Sequence, residues 1–228
     1  FETLPKPISA IIFLFLYSIK RYPMHNVGIR SWRRSEADIT FISYLINLEP
    51  QATRAGKYLS AYWGILPEKL KSEGKRTNWL HLYIKSKLIP SPKEAAKVLD
   101  RFNDNCQESE NHVSLDSFIN IKIIFRTICC WIRLAYRASK LTPKLVSSNH
   151  PNSHLTPLIL NDWVESLIGR TAIINVLYLI LFKEAMRTLP RQRVGIYLQE
   201  NQSWEKSYIH AWQTAGHGRL IGTPHSTV

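Results

Sequence analysis

The chain has 228 residues, 45% of them hydrophobic, and its 30 Lys and Arg against 17 Asp and Glu give a formal charge of +13. That length and apolar content support a real hydrophobic core and exclude a disordered tail, while the cation excess directs attention to anionic partners: nucleic acid, phosphorylated molecules or an acidic membrane surface. Of three cysteines, Cys129 and Cys130 are adjacent, where a mutual disulfide would be strained, and they read as buried thiols in a reducing compartment.

The first apolar run, ISAIIFLFLYSI from Ile8 to Ile19, is shorter than the roughly 20 residues that span a bilayer. Its flank KRYP lacks the small-residue cleavage pattern of a secretory signal, so a buried or membrane-surface helix is expected. With the basic connector RSWRRSE it makes up an amino-terminal segment, 1–37, ahead of an α/β domain over 38–228.

Within that domain DITFISYLINL, Asp38 to Leu48, is rich in β-branched and aromatic residues and reads as a buried strand. YLSAYWGILPEKLKSEGK has apolar residues near helical spacing and stops at Gly74, a natural helix end. RTNWLHLYIKS, Arg76 to Ser86, is a second strand, and SPKEAAKVLDRFN a second helix with Ser91 as its N-cap and Pro92 at its first position. This alternation predicts a mainly parallel sheet with helical covers.

From about 114 to 189 the pattern changes to a helical insertion interrupted by the breaker-rich TPKLVSSNHPNSHLTP. At about 100° per residue, Lys122, Arg126, Arg133, Arg137 and Lys140 fall at about 0°, 40°, 20°, 60° and 0°, one narrow stripe. Ile121, Ile123, Ile124, Phe125, Ile128, Trp131, Ile132 and Leu134 take most of the remaining circumference. Two readings follow: a core helix with one wet, basic edge, or a contact with an anionic membrane surface. TAIINVLYLILF, Thr171 to Phe182, is apolar nearly all round and is expected to be buried.

The last part returns to α/β with strand RVGIYLQ, helix SWEKSYIHAWQTAG and strand RLIGT. Ligands of open α/β sheets bind outside the carboxyl ends of the strands, and QENQ and PHS occupy two such ends. Glu200 is a candidate general base or hydroxyl acceptor, and His225 a candidate donor to developing negative charge or to a phosphate. Asn201, Gln202, Trp204 and Ser226 are candidate substrate contacts, with Trp204 a packing wall. The competing local role is helix capping by Asn201 or Ser203.

Other patterns exclude more than they propose. The glycines of GHGRLIG are out of register with a dinucleotide fingerprint, and neither a Walker loop nor a nucleophile elbow occurs. His150 and His154 sit around Pro151 with no Cys or carboxylate cluster beside them, so no metal site is expected. The aromatics lie mostly inside predicted strands and helices, which favours core packing over nucleic-acid stacking.

ITFISYLINL, SAYWGILPEKLKSEGKRTNWLHLY and YLQENQSWEKSYIHAWQTAGHGRLIGTPHSTV resemble a bacterial family of surface carbohydrate (O-antigen and capsule) biosynthesis proteins, themselves similar to glycosyltransferases of the two-Rossmann-domain GT-B type. The resemblance implies a Rossmann-like, GT-B-like amino-terminal domain that binds a carbohydrate or lipid-linked acceptor at the cytoplasmic face of the inner membrane. It also implies a nucleotide-sugar donor held by a second domain beyond Val228, the present chain being an inactive piece of a longer protein. His225 is similar in placement to a strand-end His of related transferases. A non-catalytic, basic, membrane-associated scaffold of the same pathway is the alternative.

Overall fold

The computed structural model describes residues 4–106, 109–140 and 156–224. Five strands, β1 (Ile39–Tyr44), β2 (Thr77–Leu82), β3 (Glu110–Ser114), β4 (Val194–Gln199) and β5 (Arg219–Pro224), form one sheet in the order β3-β2-β1-β4-β5. Every pairing is parallel, which is the Rossmann-like α/β arrangement expected from the alternation of elements. Strands β1 and β2 are buried throughout, as the near-continuous apolar runs of a sheet covered on both faces require.

The helices are α1 (Lys6–Arg21), α2 (Ile29–Arg33), α3 (Pro50–Arg54), α4 (Leu66–Ser72), α5 (Pro92–Asn105), α6 (Ile121–Ser139), α7 (Thr156–Ile168), α8 (Arg170–Thr188) and α9 (Ser203–Thr214). As expected, Ser91 caps α5, its hydroxyl accepting from the Glu94 N–H.

Two compact units result, one of residues 20–119 and 181–228 that holds the sheet, the other of residues 1–19 and 120–180 that is helical among its described residues. The amino-terminal segment is therefore divided: residues through Ile19 group with the helical middle, and the basic connector with the sheet.

In the sheet unit the core is aromatic. Phe41 stacks on Trp79 at 4.2 Å between ring centroids, with Tyr58, Trp63 and Phe102 around them. Elsewhere in the same unit Phe182, Tyr197, Trp204, Tyr208 and Trp212 interlock. In the helical unit Lys6 donates to the Asn161 side chain and Arg170 to Ser9, tying α1 to α7 and α8.

Several expectations are corrected. The first strand ends at Tyr44 rather than Leu48, because Asn47 adopts φ 54° and leaves the extended region. The helix expected across YLSAYWGILPEKLKSEGK is confined to α4: Gly64 turns at φ 51°, and Pro67 stands in the first turn, where it has no N–H to offer a longer helix. Strand β3 lies in a stretch that the sequence pattern left unassigned. Cys106 is buried, but Cys129 is half-buried and Cys130 exposed, so the adjacent pair is not a pair of buried thiols.

On α6 only Ile123, Thr127, Trp131 and Ala138 are buried, whereas Ile121, Phe125 and Ile132 are exposed. The apolar circumference is thus split, one part facing the unit's interior and the other open. In the Thr171–Phe182 run Ala172, Ile173, Leu177, Ile180, Leu181 and Phe182 are buried, while Ile174, Val176, Tyr178 and Leu179 are half-buried, so the expected burial holds for part of the circumference. By length and composition alone the stretch Leu160–Thr188 could cross a membrane; it is broken between α7 and α8 at Gly169, and a third of its most apolar window is buried.

Candidate functional site

The sheet's strand order reverses between β1 and β4, the position where open α/β sheets bind ligands. The pairing itself opens a crevice there. Strands β1 and β4 are in register only from Ile39 opposite Val194 to Ile42 opposite Tyr197. Beyond that point Ser43 and Tyr44 continue to pair with β2, and Leu198 and Gln199 with β5, so the two central strands part at their carboxyl ends.

Glu200, half-buried, directly follows β4 at this gap. Across it, the buried Tyr44 hydroxyl hydrogen-bonds to the Glu200 side chain and accepts from the Trp204 indole nitrogen at 2.9 Å. Burial first, and then the Glu200 carboxylate, push the Tyr44 phenol well above its ordinary value, against the opposing pull of the Trp204 N–H. Tyr62, half-buried, is raised by the same two causes in the same order, while a hydrogen bond from Asn47 acts the other way. Carboxylate, two phenols and an amide therefore form one polar cluster.

The chain leaves each strand by a similar device. Asn47 after β1 and Asn201 after β4 both take positive φ, 54° and 58°, a conformation Asn tolerates better than most residues. Each is exposed at the loop, and a helix starts within three residues. At α3 the Glu49 carboxylate accepts from the Ala52 N–H. At α9 the Glu205 carboxylate accepts from the Gln202 and Glu200 N–H groups at 2.7 and 2.8 Å. One amide of α3 and two amides of the loop entering α9 are thus taken by the chain's own carboxylates.

Of the residues singled out from sequence, Glu200, Asn201, Gln202 and Trp204 come together at this edge. Gln202 is the N-cap of α9, in place of the expected Asn201 or Ser203. Trp204 is buried against Tyr44, Tyr197 and Phe182, so it backs the crevice while its N–H is committed to Tyr44. His225 and Ser226 lie outside the described residues, as do His150 and His154. Lys122, Arg126, Arg133, Arg137 and Lys140 are all exposed on α6, or at its C-cap, in the helical unit.

Sequence reasoning did not single out Tyr44, Asn47, Tyr62, Glu49 or Glu205. The one local signal was the Asn-x-Glu-Pro that closes the first strand, an N-cap and N1 pattern. Among the described residues no group of His, Cys, Asp and Glu is arranged to hold a metal ion. No family model, curated protein or solved structure matches this chain.

Proposed function

We propose that this chain is the acceptor-binding half of a glycosyltransferase of bacterial surface polysaccharide biosynthesis, with the crevice between β1 and β4 as its saccharide site. The observation that carries this reading is that resident carboxylates already occupy backbone N–H groups at both loops: Glu49 takes that of Ala52 in α3, and Glu205 takes those of Glu200 and Gln202 just ahead of α9. A phosphate-binding α/β crevice keeps backbone N–H groups open at a helix N-terminus, usually behind glycines. Here the segment 45–49 contains no glycine, and the Glu49 carboxylate already takes the Ala52 N–H.

What remains at the crevice is Glu200, Asn47, Asn201 and Tyr62, a set of hydroxyl and amide groups around one carboxylate, suited to sugar hydroxyls rather than to phosphate. In this reading Glu200 accepts a hydrogen bond from the attacking acceptor hydroxyl and takes its proton as general base. Tyr44 orients that carboxylate, and Asn201 hydrogen-bonds neighbouring hydroxyls. The nucleotide-sugar donor belongs to a second domain.

Saturation-transfer NMR on the purified chain tests the ligand class, with neutral oligosaccharides in one arm and nucleoside diphosphates in the other. Saccharide signals that weaken in Glu200→Gln are expected. Binding of a nucleoside diphosphate that the same substitution abolishes, with saccharides inert, would overturn the reading.

A further inference from the structure

We infer that the joint face of α1 and α6 docks on an anionic lipid bilayer. This inference stands apart from the saccharide reading, since it rests wholly on the helical unit. The two helices, KPISAIIFLFLYSIKR and IKIIFRTICCWIRLAYRAS, contain no Asp or Glu. On α6 three sectors follow one another around the axis. Ile123, Thr127, Trp131 and Ala138 face inward. Lys122, Arg126, Arg133, Arg137 and Lys140 share an exposed stripe. Beside that stripe, offset by about 40° to 100° at about 100° per residue, stand Tyr136, Phe125, Ile132 and Ile121, all exposed, with Ile121 at 75% and Phe125 at 67%.

Helix α1 extends the apolar sector. Ile8, Phe15, Leu16 and Ile19 recur at helical spacing and are exposed, Ile19 at 70%. Phe15 and the α6 residues Ile121, Ile124, Phe125 and Ile128 line one open groove of about 590 Å³, with Lys122 and Arg126 at it. Contiguous exposed apolar surface on this scale marks an interaction site, and the charge pattern selects the partner. A second copy of the chain docked symmetrically on this face would set cationic stripe near cationic stripe. A bilayer with anionic headgroups accepts both sectors at once: the apolar side chains enter the headgroup boundary, and the Lys and Arg groups meet lipid phosphates.

Vesicle co-sedimentation of the whole chain decides it, using phosphatidylcholine vesicles with and without phosphatidylglycerol. Binding is expected on the phosphatidylglycerol vesicles. Lys122→Glu with Arg126→Glu should weaken it about 25-fold or more, since each cation near such a surface contributes roughly fivefold. Phe125→Ser with Ile132→Ser should weaken it at least about tenfold through lost apolar burial. Lys75→Glu with Lys87→Glu, an equal charge change on the sheet unit, should leave it within about twofold. All these side chains are exposed, so circular dichroism should report unchanged folding. Equal loss in the Lys75/Lys87 pair, equal binding to pure phosphatidylcholine, or no vesicle binding together with a dimer that Phe125→Ser dissolves would each overturn the inference.

Discussion

The Tyr44 hydroxyl, at the end of β1, accepts a 2.9 Å hydrogen bond from the indole nitrogen of Trp204, in the first turn of α9. That contact spans the gap where β1 and β4 stop pairing. It also fixes the lone pairs of the hydroxyl, so that its own proton is directed to Glu200. The candidate carboxylate is thereby held by a buried group on the opposite strand rather than by its own loop alone.

Tyr44→Phe removes both bonds and leaves the Trp204 N–H buried without its acceptor. An unsatisfied buried donor costs about 1–3 kcal/mol. Urea unfolding should register a loss in that range, and the saccharide affinity should fall with it because Glu200 loses its anchor.

How much of this was legible in the sequence depended on where the determining contacts lie. β1 and β2 were readable because their residues fill a two-sided core, and β4 and β5, which are less buried, because their short apolar runs flank the helix pattern of α9. β3 was not, since Glu110, Asn111 and His112 are polar. It pairs with β2 on one side, and on the other the Asn103 side-chain amide accepts from the His112 N–H at 2.8 Å and donates to the His112 carbonyl at 2.9 Å, in the manner of another strand. Glu200 could be found from the abrupt polar end of an apolar run. Tyr44 and Tyr62 could not, because their relevance arises only once β1 lies beside β4. On α6 the basic stripe was legible from spacing, whereas the exposed apolar sector beside it depends on how many neighbours the helix finds.

Gly195 of β4 lies against the aromatic wall behind the crevice: a Cβ there would meet Trp212 at 2.7 Å and the Tyr208 hydroxyl at 2.8 Å. Neither ring can retreat, since Tyr208 and Trp212 are fully buried. Gly195→Ala should cost about 1–3 kcal/mol by overpacking, measured as a lower urea midpoint with an unchanged slope.

Burial first, and the adjacent His112 second, hold His81 neutral well below its ordinary 6.5. Its Nε2 lies 3.0 Å from His112 Nδ1, and its Nδ1 is buried with no hydrogen-bond partner among the described residues. The unfolded chain takes up a proton near 6.5 where the folded chain does not. Stability from this group is therefore fully present above that pH and declines as pH falls through it toward the depressed folded value. His217 shifts in the same direction, chiefly from burial. Urea unfolding between pH 8 and pH 5, on the order of the usual stable range, should give midpoints that fall on the acid side, and His81→Phe should flatten the curve. Midpoints that rise on acidification would contradict it.

Arg21 places Nη1 3.4 Å from the buried Asp116 carboxylate and stacks its guanidinium over the Tyr83 ring at 4.5 Å. Removing one partner of a fully buried pair costs about 3–5 kcal/mol, and Arg21 is half-buried, which places the loss toward the low end. Arg21→Gln should show a loss approaching that range, and adding Asp116→Asn should restore part of it. A double variant no more stable than Arg21→Gln alone would mean that the pair is not coupled.

The most direct measurement is a calorimetric titration of wild type and Glu200→Gln with the oligosaccharide that gives the strongest NMR response. A saccharide site centred on Glu200 predicts affinity at least about tenfold weaker in the variant, or roughly 1.4 kcal/mol, with the same unfolding midpoint. Equal affinity in the two proteins would contradict a carboxylate-centred acceptor site between β1 and β4.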